Sequence, residues 1–232
     1  MKVALIGYGK MGSMVERLAG EEGIEIAARY DIDTPLDSDD NAKGTLEDVS
    51  ILIDFTQPEA VPDTIRAAAL LGKNLVIGTT GWHDFLPEAK KIVRNAGTGL
   101  VYGANFSLGV RIFYRLVERA GSLFKHFPEY DPYITEAHHR FKKDAPSGTA
   151  LTLKSILERH TNRKGPEISS VRAGHIPGTH RVGFDSTVDT VELVHRARSR
   201  EGFARGALLA ARWIEGRKGF FEFGEVVDSL ID

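Results

Sequence analysis

The short, largely apolar run Lys2 to Ile6 breaks at once into Gly7-Tyr8-Gly9-Lys10-Met11-Gly12, and Met14 to Ala19 continues with helical patterning. A buried parallel strand, a glycine turn and a helix in that order admit few folds. Gly7 permits the tight turn, Gly9 lets the backbone approach a pyrophosphate, and Gly12 lets the helix pack close to its strand. The start of the helix offers N–H groups to phosphate, so Lys10 and Met11 belong to the same binding turn. A second strand, Ile24 to Tyr30, ends in Asp31, about 20 residues past the glycines, which is the spacing of a carboxylate that binds an adenosine ribose. Asp33 competes for that role. The bland alternative is a glycine-rich turn that merely packs.

The rhythm continues. Val49 to Phe55, Asn74 to Ile77 and Gly99 to Tyr102 read as buried strands, with helices expected from Thr56-Gln57-Pro58 through Leu71 and from about Asp84 to Asn95. Thr34 to Asn41 is polar and acidic, a solvated loop. Alternating strands and helices predict a doubly wound parallel sheet of Rossmann type, with ligands at the carboxyl ends of the strands. Gly78-Thr79-Thr80 and Gly103-Ala104-Asn105-Phe106 fall at such ends, where small residues let a cofactor lie close.

After Asn105 the pattern changes. Ile112, Leu116, Ala120, Leu123 and Phe127 recur at helical spacing over Leu108 to Phe127 and are read as core. Tyr130 to His139 is a strand, a helix runs from Thr149, and Ile168 to Ala173 is a strand. Residues 174–180 read as a loop, and Val182 to Thr187 and Val188 to Arg196 as a mostly antiparallel pair. From Glu201 the pattern is helical again. The expected organisation is a dinucleotide-binding domain over residues 1–105, completed by C-terminal helices in 201–232, and a second, α+β domain for substrate and oligomerisation over 106–200.

Composition narrows the functions. The 232 residues carry a net charge of −2, which argues against nucleic acid or an anionic membrane surface as partner. The chain has no cysteine, which removes disulfides, thiolate metal sites and cysteine nucleophiles and fits a reducing cytoplasm. No apolar stretch reaches the roughly 18 residues that a membrane span needs.

The densest chemistry lies in Glu136-Ala137-His138-His139-Arg140-Phe141-Lys142-Lys143-Asp144-Ala145-Pro146-Ser147-Gly148-Thr149-Ala150. Adjacent histidines on a strand point to opposite faces, so one of His138 and His139 faces a given pocket. Lys142 lies between Arg140 and Lys143, and repulsion among like charges eases release of a proton. Ser147, Gly148 and Thr149 open a helix, a favourable place for a carboxylate or phosphate. Either a proton donor beside a carboxylate-bearing ligand or a simple anion clamp fits. Zinc is disfavoured because no third ligand has helpful spacing, and Ser147 lacks the setting of a nucleophile.

This segment resembles the signature of the 4-hydroxy-tetrahydrodipicolinate (dihydrodipicolinate) reductase family. Gly7 to Gly12, Gly78-Thr79-Thr80-Gly81, Asn105-Phe106-Ser107-Leu108-Gly109, Arg172-Ala173-Gly174 and Phe203-Ala204-Arg205-Gly206-Ala207 follow in the family's order. The resemblance implies reduction of a cyclic dicarboxylate by NADH or NADPH in diaminopimelate and lysine biosynthesis. It implies His138 as the acid–base histidine, Lys142 as proton donor, and His139 with Gly148 and Thr149 on the substrate. It places Gly7, Tyr8, Gly9, Lys10, Met11, Gly12, Asp31, Gly78, Thr79, Thr80, Gly103, Ala104, Asn105 and Phe106 around the nicotinamide cofactor. It implies no metal, and a cytoplasmic homotetramer formed through the second domain. His175 and Thr179 depart from the family, whose positions there are often acidic. The rival readings are another two-domain oxidoreductase and a non-catalytic nicotinamide-binding regulator.

Overall fold

The structure is a computed structural model that describes residues 1–36, 46–161 and 165–231. Two compact units divide it: Met1–Ser107 with Glu201–Asp232, and Leu108–Arg200.

The first unit is built on a six-stranded parallel sheet. Its strands are β1 (Lys2–Ile6), β2 (Glu25–Tyr30), β3 (Ile51–Asp54), β4 (Asn74–Ile77), β5 (Gly99–Tyr102) and β10 (Gly219–Glu222), in the order β10-β5-β4-β3-β1-β2. The direction of winding reverses at β1, with β2 on one side and β3 on the other. Helices α1 (Lys10–Glu21), α6 (Glu201–Ile214) and α7 (Phe223–Ile231) meet Val3, Leu5, Ile51, Ile53 and Val101 on one face. Helices α2 (Val61–Leu70) and α3 (Leu86–Ala96) cover Ala4, Ile6, Leu52, Leu75 and Leu100 on the other. Alternate residues of one strand therefore serve two cores, which is why these strands are continuously apolar.

Three local expectations shift. Helix α2 starts at Val61 rather than Thr56, because the Asp54 carboxylate accepts the Thr56 N–H and hydroxyl, both at 2.9 Å, and holds the chain in a turn. The proline in its first turn is Pro62, not Pro58. Strand β10, inside a segment expected to be helical, pairs with β5; its two phenylalanines diverge, Phe220 to Tyr102 and Phe221 to Trp213. Of the polar stretch 34–41, Thr34 bridges back to Asp31, and residues from 37 on lie outside the described ones.

The second unit is a four-stranded mixed sheet with two helices on one face. Strands β6 (Asp131–His138), β7 (Ile168–Arg172), β8 (Thr179–Asp185) and β9 (Thr190–Arg196) take the order β7-β6-β8-β9, with β6 and β7 parallel and the other pairs antiparallel. Helices α4 (Leu108–Phe124) and α5 (Gly148–Thr161) pack on Ile134, Val182 and Phe184. Of the stripe expected to be core, Ala120 packs against the buried cluster, but Ile112, Leu116, Leu123 and Phe127 are exposed, Leu116 and Phe127 each at 52%, and Phe127 lies beyond the helix. The buried stripe is Val110, Phe113, Val117 and Gly121. Gly121 decides between these two faces, since a Cβ there would lie 3.2 Å from that of His160 on α5; the helices approach most closely where the side chain is smallest. Strand β8 begins at Thr179, inside the expected loop, because Thr179 pairs with Ala137 and Arg196 on both sides. A turn at 186–189 joins β8 to β9. Among the described residues no helix is long and apolar enough to cross a membrane.

Phe184 is fully buried and stacks on Phe124 with centroids 4.2 Å apart. Phe184→Ala is expected to destabilise the second unit by about 3–5 kcal/mol, read as a lower urea midpoint by circular dichroism.

Candidate active site

At the carboxyl ends of β1, β2 and β3 the first unit opens a cavity of about 540 Å³, lined by Gly7, Gly9, Tyr30, Asp31, Phe55 and Thr56 among others. Gly7 has φ +85°, and a Cβ there would come 2.6 Å from the Phe55 carbonyl oxygen. A Cβ on Gly12 would meet the Gly7 carbonyl oxygen at 2.3 Å, whereas Gly9 has nothing within 4 Å of its would-be Cβ. The turn is thus closed on its protein side and open at Gly9, which fits the approach of a pyrophosphate. Helix α1 begins just after Gly9, with Lys10 and Met11 as its first residues. Asp31 accepts the N–H groups of Tyr8 (3.3 Å) and Ile32 (2.9 Å), which fixes its carboxylate at the cavity. Asp33 is not among the lining residues. Arg29 lies against the Tyr8 ring and is paired with Glu16 of α1.

A residue that sequence reasoning passed over stands at the centre of this edge. Asp54 is 0% exposed, and besides Thr56 it accepts the Thr79 hydroxyl at 2.7 Å. Burial pushes its carboxyl pKa up, against the hydrogen bonds from Thr56, Thr79 and Thr64. The available signal was an acid closing an otherwise apolar strand. The Thr79 hydroxyl is therefore turned inward, and its carbonyl accepts the Trp82 indole N–H. Thr79, Thr80, Gly103 and Ala104 share a small cleft at the ends of β4 and β5. Asn105 accepts the Ser107 N–H at 2.8 Å and shapes the turn. The Phe106 ring is a core ring, 2% exposed and packed on Phe223, so its side chain does not face a ligand.

In the second unit the apolar face of the sheet becomes polar at one end. Along β6 the inward residues run Ile134, Glu136, His138; along β8 they run Phe184, Val182, His180, and Glu136 is the cross-strand partner of His180. The Glu136 side chain has no exposed surface. One of its oxygens accepts the Arg172 guanidinium (2.6 Å) and the Ser147 N–H (3.3 Å), and the other is bonded to His138 Nδ1. Burial opposes its charge, but the bonds from Arg172 and Ser170 and the charges of His138 and Arg172 prevail, and its pKa is lowered to about 2. His138 is shifted down, by burial first, with Lys142 and Arg172 reinforcing that and Glu136 opposing it. His180 is pushed down to about 4 by burial and by neighbouring His138.

The helix start completes the group. The Ser147 hydroxyl contacts His180 Nε2 at 3.1 Å and accepts the Ala150 N–H at 3.3 Å, capping α5. Gly148 and Thr149 are the first two residues of that helix. Lys142 is paired at 2.8 Å with Asp144, a carboxylate that the sequence reading did not weigh beside Arg140 and Lys143. Lys142 is the main cause that holds the Asp144 carboxyl below the usual carboxylate range. His139 points the other way from His138, with its Nδ1 buried and lacking a protein hydrogen-bond partner. The site residues thus fall into two groups, one in each unit.

The stated ground against a metal is overturned, because β8 supplies the missing third group. Potential ligand atoms of Glu136, His138 and His180 lie within 4.8 Å of one another. Arg172 already occupies one Glu136 oxygen and His138 Nδ1 the other, so Glu136 and His138 are bonded with a cation built in, and His180 joins them through Ser147.

A Rossmann-type sheet with an open glycine turn, joined in one chain to a mixed sheet with a buried histidine–carboxylate cluster, fits a nicotinamide-dependent oxidoreductase, and comparison with known proteins assigns that class. Residues 1–106 match the family model for the N-terminus of dihydrodipicolinate reductase, and residues 109–227 match the model for its C-terminus. The chain belongs to the dihydrodipicolinate reductase family. It is 34% identical over 243 residues to the 4-hydroxy-tetrahydrodipicolinate reductase of Christiangramia forsetii, spanning 99% of both chains. It is 34% identical over 266 residues to that of Archaeoglobus fulgidus, spanning 98% of this chain and 100% of the relative. The fold is shared with the dipicolinate-bound dihydrodipicolinate reductase from Paenisporosarcina sp. TG-14, at a TM-score of 0.80 and 20% identity over 97% of this chain and 98% of that one.

Because His180 is held neutral, its folded-state pKa lies below the ordinary 6.5. Its contribution to stability is full above pH 6.5 and declines as the pH falls toward about 4, by at most about 1.4 kcal/mol per pH unit. His180→Gln is expected to flatten urea-midpoint profiles across that window.

Proposed function

We propose that this chain reduces 4-hydroxy-tetrahydrodipicolinate to tetrahydrodipicolinate with NADH or NADPH, in diaminopimelate and lysine biosynthesis. The overall change replaces the 4-hydroxyl by hydrogen and releases water. The observation that carries the reading beyond the family match is the pairing of Lys142 with the Asp144 carboxylate just before the start of α5. Lys142 thus already holds a carboxylate of the chain itself, which supports its meeting a carboxylate-bearing ligand.

The cofactor is assigned to the glycine turn Gly7 to Gly12, with Asp31 on the ribose and the loops 78–80 and 103–106 beside it; Thr79 and Phe106 would contribute through their backbone. Loss of the 4-hydroxyl together with a proton from the adjacent ring carbon, as water, leaves a double bond between those two carbons; a reduced nicotinamide bound at the glycine turn would supply hydride to C4 of that unsaturated ring. Lys142 delivers a proton to the adjacent carbon as negative charge builds there, with His138 assisting. His139 and the N–H groups of Gly148 and Thr149 orient the carboxylates, and the fixed donors at the start of α5 stabilise charge without reorganising. A homotetramer formed through the second unit, and a cytoplasmic setting, belong to the same reading.

Asp31 favours a free ribose 2′-hydroxyl and repels a 2′-phosphate, while Arg29, the nearby cation, is already paired with Glu16. NADH is therefore the preferred cofactor.

Lys142→Ala is expected to lower kcat by at least about 100-fold and leave cofactor Kd nearly unchanged. Turnover close to wild type would remove Lys142 from the proton-donor role. In paired assays, kcat/KM should be higher for NADH than for NADPH, and a strong preference for NADPH would count against Asp31 as the ribose ligand.

A further inference from the structure

We infer that Glu136 is a positioning residue for this reaction: it fixes the tautomer and orientation of His138 while tying the helix start that receives the substrate carboxylate. The inference rests on the reading just given. It comes from how one buried carboxylate distributes its two oxygens. One is bonded to His138 Nδ1; the other accepts both Arg172 and the Ser147 N–H. A carboxylate is an acceptor without a proton of its own, so neutral His138 must carry its hydrogen on Nδ1. Nε2 is then the basic atom. It lies beside Gly178, where a Cβ would approach it to 3.2 Å, and the missing side chain leaves that edge uncrowded.

Arg172 prevents Glu136 from turning away. Its guanidinium also donates to the Asp144 carbonyl at 2.6 Å, so the same cation braces the loop that carries Lys142. A purely structural ion pair between Glu136 and Arg172 would not require the second oxygen to meet a histidine. The groups facing His138 are Glu136 on its own strand, Arg172 from β7, His180 from β8, Lys142 with its partner Asp144 from the following loop, and Ser147 at the start of α5. Of these, Glu136 carries the negative charge bonded directly to the ring. Replacing it with a neutral amide removes stabilisation of the imidazolium and lets His138 release its proton at lower pH. An amide can also present an N–H to Nδ1 and so select the wrong tautomer.

The test uses the full chain with 15N-labelled histidine, following the His138 ring nitrogens from pH 5 to 9 and assigning them by comparison with His138→Asn. The expected wild-type result is a neutral ring protonated at Nδ1. Glu136→Gln should lower the His138 titration midpoint by about one pH unit or more and lower kcat by at least about 30-fold, with KM within about threefold. A wild-type ring protonated at Nε2 overturns the inference, and so does a Glu136→Gln enzyme that keeps both the midpoint and the turnover. Should that variant not fold, the wild-type tautomer decides alone. The functional reading fails separately, if the wild type does not oxidise reduced cofactor with 4-hydroxy-tetrahydrodipicolinate; the ring measurement needs no substrate.

Discussion

A carboxylate without exposed surface is expensive to bury unless its charge is matched and its lone pairs are met. Glu136 meets that condition with donors from β7, from the start of α5 and from the histidine two residues along its own strand. The second unit is arranged around that requirement. The apolar face shared by β6 and β8 ends where Glu136 and His180 face each other, and the helix that covers it begins at a serine bonded to both. Removing one partner leaves the others buried with an unmet charge, so the cluster acts as a unit.

The first unit solves a similar problem by different means. Asp54 is as deeply placed as Glu136, but its partners are hydroxyls and an amide N–H rather than a guanidinium. Burial therefore dominates at Asp54, and its carboxyl is pushed up, while that of Glu136 is held down. One pair of environments draws the loops after β3 and β4 together; the other binds a strand, a loop and a helix start beside a proton-bearing ring.

Much of this was readable before any coordinates. Apolar runs, three of them closed by glycine, revealed five of the six parallel strands, and the glycine turn located the edge at which the cavity opens, because these signals are local. Where two distant segments decide the outcome, reading failed. Leu116 and Val117 both lie on stripes with helical spacing, and only the close approach of His160 to Gly121 shows which stripe is core. Strand β10 is set between two helices and has β5 as its one neighbour in the sheet, about 120 residues earlier in the chain. His180 looked like a loop residue because its partner, Glu136, lies 44 positions earlier in the chain. Within the motif, His138 and Lys142 stood out for their chemistry, but the geometry that orients the histidine depends on Arg172, far along the sequence.

The first unit is assembled from both ends of the described chain, with the second unit inserted between them. Val101, Val76 and Phe106 are roofed by Leu208, Ala211 and Phe223, which a ribosome delivers about a hundred residues after the strands they cover. The inserted unit, by contrast, holds all of its own strands and helices in one uninterrupted stretch and can fold as soon as that stretch has emerged. Synthesis therefore leaves the part of that sheet face not covered by α1 exposed while the whole inserted unit is being made.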